Sequence, residues 1–292
     1  MAEDIKAIDA LNYPFSTEAW KLRVGAEDVR EAMKTVLKGL LKGQPPPSAD
    51  SITGSTPKEF VAQLDAAGYD KAIIVGLKMW SYRKHKLSWD FTVDEVYQLT
   101  KDFPNRLIGA ASYNPFKIEE SLQEIERGVK KYGFKYVFFH PGSFGLPVHD
   151  RRFYPCYTKC LELGVPVGWQ VGHSAELFPS ETGRPVYVED VALDFPNLTI
   201  VLSHAGWPWT EEFIAMVWKF PNVYGDIAAY PPRALEPNLM RFMNGTRGRD
   251  KMLFATNGID LGYRQQFMDL EVMKEETKRM VLRENAIRVF KL

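Results

Sequence analysis

A (β/α)8, or TIM, barrel of the α/β class is the architecture this sequence predicts, and three observations carry it. Eight short apolar segments rich in β-branched residues are each followed by helical sequence, mostly amphipathic. Neither Gly-x-Gly-x-x-Gly nor Gly-x-x-x-x-Gly-Lys follows any of them, so an open sheet built around a dinucleotide or a P-loop is unsupported. The length of 292 residues, 45% hydrophobic and 25% charged, suits one barrel with a sizeable core. Residues 1–292 therefore read as a single domain.

Taken in order, the strand candidates are Ile5–Leu11, Ala72–Leu77, Leu107–Ser112, Tyr136–His140, Val165–Val171, Thr199–His204, Val223–Ile227 and Met252–Thr256. Amphipathic stretches lie between them at Pro57–Ala67, Val93–Lys101, Ile118–Lys131, Tyr154–Leu163 and Glu211–Phe220. Phe-Pro-Asn recurs at 103–105, 195–197 and 220–222, each time between a helical run and a strand. Proline stops the helix and asparagine tolerates the turn, so the repeat is a spacer without chemistry. Two excursions leave the barrel on the side where strands end. Residues 14–55 form a lid or insert, with a helical run Thr17–Leu41 and a Gln44–Pro47 linker. Lys78–Asp90 is a loop carrying Trp80, Trp89 and the basic cluster Arg83–Lys86.

Composition excludes several roles. Lys+Arg and Asp+Glu both number 37, so neither a nucleic acid nor a membrane surface has electrostatic support. Cys156 and Cys160 are four apart with no third cysteine, which suits free thiols in a reducing compartment. No signal-like or membrane-spanning run is present, so a soluble, cytoplasmic protein is expected.

In such a barrel the site lies where the strands end. Those ends read Asn12/Tyr13, Lys78, Asn114, His140, His173, His204, Asp226 and Asn257, with Asp260 just beyond. Three of the five histidines sit there, on neighbouring strands.

At these residues the chain resembles the amidohydrolase-related family, which includes aromatic-acid decarboxylases and lactone hydrolases. The matching pieces are Ile8-Asp9-Ala10, Val171-Gly172-His173-Ser174, Val201 to Pro208 (Val-Leu-Ser-His-Ala-Gly-Trp-Pro), Leu253-Phe254-Ala255-Thr256-Asn257 and the closing Val281–Phe290. The resemblance implies a metal held by His-x-His on strand 1, a histidine after strand 5 and an aspartate after strand 8. Here Leu11 and Tyr13 occupy the His-x-His positions, and Asn257 the aspartate position. His173 stands at a ligand position and His204 at that of the family's general base. A catalytic zinc wants about three protein ligands. No metal and no other cofactor is therefore expected, unless Asp260 turns inward to join His173 and His204.

The expected catalytic residues are His204, His173 and Asn257. Tyr13, Asn12, His140, Trp207, Lys78, Asp226 and Asp260 are expected to bind substrate. The expected reaction is metal-independent hydrolysis of a C–C or C–O bond beside a carbonyl, in a lactone, thioester or 1,3-dicarbonyl. The substrate is a small carboxylate or acyl-CoA with flat, aromatic character. Nonoxidative decarboxylation is the alternative reaction and isomerisation also fits the residues, while a catalytically inactive ligand-binding barrel is the alternative of another class. A small-molecule substrate is the expected partner, and pairing of two copies through outer helices is in keeping with such barrels.

Overall fold

A computed structural model describes residues 5–25 and 53–292. The rest of the helical run expected up to Leu41 and the Gln44–Pro47 linker lie outside the described residues. In chain order the first elements are β1 (Ala7–Asn12), α1 (Thr17–Gly25), α2 (Pro57–Ala66), β2 (Tyr69–Val75), β3 (Lys78–Ser81), β4 (Lys86–Asp90), α3 (Val93–Thr100) and β5 (Leu107–Ala111). Then come α4 (Ile118–Tyr132), β6 (Tyr136–Phe139), α5 (Tyr154–Leu163), β7 (Val167–Gln170), α6 (Val188–Asp194), β8 (Ile200–Ser203), α7 (Thr210–Lys219) and β9 (Val223–Asp226). The chain ends with α8 (Pro237–Asn244), α9 (Thr246–Arg249), β10 (Met252–Leu253), α10 (Tyr263–Met268), α11 (Glu275–Arg279), a π-turn (Met280–Glu284) and α12 (Asn285–Phe290).

Eight of the strands form one parallel sheet in the order β1-β2-β5-β6-β7-β8-β9-β10. Beyond β10 the chain returns to β1: Ala10 N donates to Phe254 O at 3.0 Å and Asn257 N to Leu11 O at 2.9 Å. The sheet is thereby nearly closed into a barrel, and each of the eight strand expectations corresponds to one barrel strand. β3 and β4 are an antiparallel hairpin where a loop was expected, pairing Lys78 with Asp90 and Met79 with Trp89. The basic cluster Arg83–Lys86 stands exposed at its tip.

Local chemistry sets the helix ends. Thr56 and Glu59 form a capping box at α2, with Glu59 N donating to Thr56 Oγ1 at 3.3 Å and Thr56 N to the Glu59 carboxylate at 2.8 Å. Thr92 and Glu95 repeat it at α3. α4 and α5 stop at Gly133 and Gly164, whose φ of 72° and 67° an L side chain adopts at a cost.

Two layers of core follow from the period-two alternation of the strands. One lies between the sheet and the helices, around Phe139, Phe153, Tyr157 and Trp169. The other fills the barrel with Ile8, Ile73, Ala110, Phe138, Val201 and Leu253, among others. α12 adds Ala286, Val289 and Phe290 to this inner layer, and Phe290 packs edge-on to Tyr136 with centroids 4.9 Å apart. Tyr136 fits inside the barrel because residue 168 is glycine. A Cβ there would lie 1.8 Å from Tyr136 Oη and 2.8 Å from Val201 O. Replacing Gly168 with alanine should destabilise the fold by about 1–3 kcal/mol in denaturant titration, the range for an overpacked core. An unchanged midpoint would show that the interior has slack at this level.

Candidate functional site

The site is built on residues that close the strands. β8 delivers His204, which begins a left-handed turn with φ of 78° at His204, 54° at Ala205 and 73° at Gly206. Two of these residues carry a Cβ, so the turn is strained. Asp226, at the end of β9, holds it. One carboxylate oxygen accepts from His204 N at 3.0 Å and Ala228 N at 2.9 Å, the other from Ser203 Oγ at 2.6 Å. Its carbonyl takes Ala205 N at 3.0 Å. Asp226 was expected to bind substrate; its acceptors are spent inside the protein, so it positions His204 instead.

Asp9 does matching work two strands away, on β1 beyond β10. It accepts from Thr256 N at 2.8 Å, Thr256 Oγ1 at 2.5 Å, Asn12 Nδ2 at 2.9 Å and Leu11 N at 3.3 Å. This clamp sets Asn257, itself left-handed at φ 60°. Asn12, also expected to meet substrate, spends its amide on Asp9 and its carbonyl on Tyr13 N at 2.8 Å. Burial raises both Asp9 and Asp226 to about 6, partly offset by their hydrogen bonds.

His204, His140 and Asn257 meet at the mouth. His204 is 5% exposed and His140 3%. Burial foremost, then neighbouring His140, lowers His204 to about 3, while the Asn257 amide and the Ser203 backbone act the other way. Burial lowers His140 too, against the charge of Glu176, its own backbone and the side chain of Gln170. Both imidazoles are therefore neutral at pH 7. His140 Nδ1 accepts from Ser143 N at 3.3 Å, while His140 Nε2, His204 Nδ1 and Asn257 Oδ1 are buried without a hydrogen-bond partner. Tyr136 Oη, inside the barrel, has none either.

Other expected residues lie elsewhere. His173 is exposed at the rim, with Nδ1 2.7 Å from Ser180 Oγ and its ring edge-on to the exposed Trp207. Lys78 does not present its amine to the mouth: it pairs with Asp90 at 2.6 Å and Glu124 at 3.2 Å, tying the hairpin to α4. Asp260 does not turn inward to join His173 and His204; it is exposed and accepts from Gly262 N at 2.7 Å. Tyr13 is buried at the mouth, edge-on to Trp89 of β4 at 5.6 Å.

Sequence reasoning missed Asp9, Tyr136, Gln170, Glu176 and Arg23. Asp9, Tyr136 and Gln170 carried a signal, as polar groups in apolar strands. Glu176 and Arg23 come from a loop and a helix whose course the sequence does not fix. The charge of Glu176 acts on His140, Tyr13 and Arg23 together.

The residues present do not suit the metal the family implies. Leu11 is packed in the inner core, Tyr13 has its pKa raised by burial, and Asn257 offers a neutral amide. Among the described residues no three His, Cys, Asp or Glu side chains come together as a metal-holding group.

Since His204 titrates near 3 when folded and near 6.5 when unfolded, it supports the fold above pH 6.5 and withdraws that support as pH falls. His204→Asn should therefore gain on the parent by about 2 kcal/mol between pH 6.5 and 4.5, read from paired denaturation curves. A constant difference across that range would contradict a buried neutral His204.

The family model described as Amidohydrolase matches residues 84–292. Among solved structures, an uncharacterised TIM-barrel protein from Bordetella bronchiseptica is 24% identical, covering 98% of this chain and 99% of that one, with a TM-score of 0.79. A manganese-bound 5-carboxyvanillate decarboxylase from Novosphingobium aromaticivorans is 18% identical over 100% and 99% of the two chains, with a TM-score of 0.70. The 2,6-dihydroxybenzoate decarboxylase of Rhizobium is 14% identical over 98% of each, with a TM-score of 0.63. At these identities the likeness is one of fold. No curated protein matches the chain. With the family model covering well over half its length, the chain belongs to the amidohydrolase family.

Proposed function

We propose that this protein is a metal-independent hydrolase using His204 as general base on an activated acyl carbon. The substrate is a small carboxylate or an acyl-CoA carrying a lactone, a thioester or a 1,3-dicarbonyl. One observation supports this above the others: His204 Nδ1, His140 Nε2 and Asn257 Oδ1 are buried at the barrel mouth without partners. Unpaired buried polar atoms are costly, and a reacting molecule in the mouth would satisfy them.

His204 takes a proton from water as the water oxygen attacks the carbonyl carbon. The carbonyl electron pair moves to oxygen, giving an oxyanion beside the new imidazolium. Asn257, His140 and the phenol of Tyr13 are the neutral groups at hand to donate to it. When the C–O, C–S or C–C bond breaks, the leaving alkoxide, thiolate or enolate takes the proton back from His204. Asp226 keeps the imidazole in place throughout. No step relies on a metal, because the donor set at Leu11, Tyr13 and Asn257 does not suit one.

Nonoxidative decarboxylation is the second reading, favoured by the fold likeness to two aromatic-acid decarboxylases. A panel of carboxylated lactones, acyl thioesters and hydroxybenzoates separates the two, with acid product and carbon dioxide both measured. We expect acid release that survives chelation, and a loss of about 100- to 10,000-fold in kcat for His204→Asn with the fold intact. Stoichiometric zinc or manganese required for turnover overturns the proposal, as does carbon dioxide release without hydrolysis.

A further inference from the structure

Arg23 is the cation that the catalytic reading does not use. It lies in the last turn of α1, half-buried, with its guanidinium carbon 4.5 Å from the ring centroid of Trp20, 5.0 Å from Tyr13 and 5.3 Å from Trp89. Three elements thus converge on one charge: α1 itself, the exit of β1 and the β3–β4 hairpin. A guanidinium stacks on aromatic faces while its edge keeps five N–H donors in a fixed fork.

Among the described residues those donors have no taker: no hydrogen bond or ion pair engages Arg23. Comparable cations elsewhere are spent. Lys78 meets Asp90 and Glu124, Arg249 meets Glu276, Arg106 meets Asp65, and Lys251 donates to the Val217 and Phe220 carbonyls. Glu176 is the carboxylate whose charge acts on Arg23, yet it is not paired with it. A partly desolvated cation with an unused planar edge calls for a planar anion.

The surroundings suit such a guest. Arg23 lines a cleft of about 290 Å³ with Tyr13, Trp20, Asn12 and Asp260, whose carboxylate already accepts from Gly262 N. Tyr13 has Arg23 on one side, and it feels the charge of Asp226, which holds His204. A molecule anchored at Arg23 would run past Tyr13 toward the strand ends. We infer that Arg23, in its cage of Tyr13, Trp20 and Trp89, is the carboxylate-binding subsite for a flat, conjugated acid. This deepens the hydrolase proposal, resting on it for the direction in which the substrate lies, while the subsite stands on its own geometry. Bound there, the carboxylate accepts two parallel N–H bonds from the guanidinium as the conjugated skeleton packs on the rings.

Benzoate is the probe, with benzamide as its neutral counterpart, and Trp20 and Trp89 report binding through fluorescence of the full-length protein. We expect benzoate but not benzamide to bind. Arg23→Met should weaken benzoate about 10- to 100-fold, and Arg23→Lys, which keeps the charge without the fork, should fall between. Glu176→Gln should tighten binding by removing a facing negative charge. Thermal unfolding of each variant separates loss of the subsite from loss of the fold, and Arg23→Lys carries the test if Arg23→Met does not fold. Equal affinity of benzoate for parent and Arg23 variants overturns the inference. Equal binding of benzamide, or no binding of benzoate to the parent protein, overturns it as well. None of these measurements uses turnover, so their failure leaves the hydrolase proposal to its own test.

Discussion

The carboxylate of Asp226 imposes the constraint on which the mouth of this barrel depends. Two consecutive residues with side chains, His204 and Ala205, stand in the left-handed region, each at a cost of about 1–3 kcal/mol. Three hydrogen bonds into one buried carboxylate, each worth about 1.5–3 kcal/mol when an ion accepts, offset that strain. Without that carboxylate the His204 amide and the Ser203 hydroxyl lose their acceptor. The imidazole would then leave the place where β8 delivers it.

Asp9 repeats this solution two strands away, binding the Thr256 backbone and hydroxyl and so fixing Asn257. The last strand, β10, has only two residues, so side-chain bonds supplement a short ladder at the seam between β10 and β1. The floor of the site is therefore rigid by construction. Its covers have another character. α1 and the β3–β4 hairpin meet through aromatic rings around Arg23, a contact that tolerates sliding better than a buried carboxylate does.

The barrel was legible because each of its strands is a short β-branched run with a helical segment after it, and the strand ends fall where polar residues interrupt those runs. His204, His140 and Asn257 could be named from that pattern alone. The β3–β4 hairpin was not, because the exposed tip Tyr82–His85 breaks the alternation that Met79 and Trp89 carry on either side. Lys78 and Asp226 were legible as positions and misread as roles. A polar residue at a strand end is equally suited to substrate and to a neighbouring element, and only the partners decide. For Lys78 these are Asp90 and Glu124; for Asp226, Ser203 and two backbone amides. Arg23 and Glu176 were invisible for a different reason. A helix turn and a loop set their direction, and no periodicity in the sequence encodes where those point.

The low basicity of His204 bears on the chemistry proposed for it. With a pKa of about 3, protonating this imidazole at pH 7 costs about 5 kcal/mol. In the free protein roughly one molecule in ten thousand therefore carries that proton. Burial lowers His140 in the same direction. In the proposed hydrolysis a proton reaches His204 only as negative charge grows beside it. An oxyanion about 4 Å away returns about 4 kcal/mol at an effective dielectric near 20, nearly the whole deficit. The burial that makes His204 a weak base in the free protein thus makes it responsive to an anion formed at its side. That coupling is what the proposed general base in acyl transfer would use.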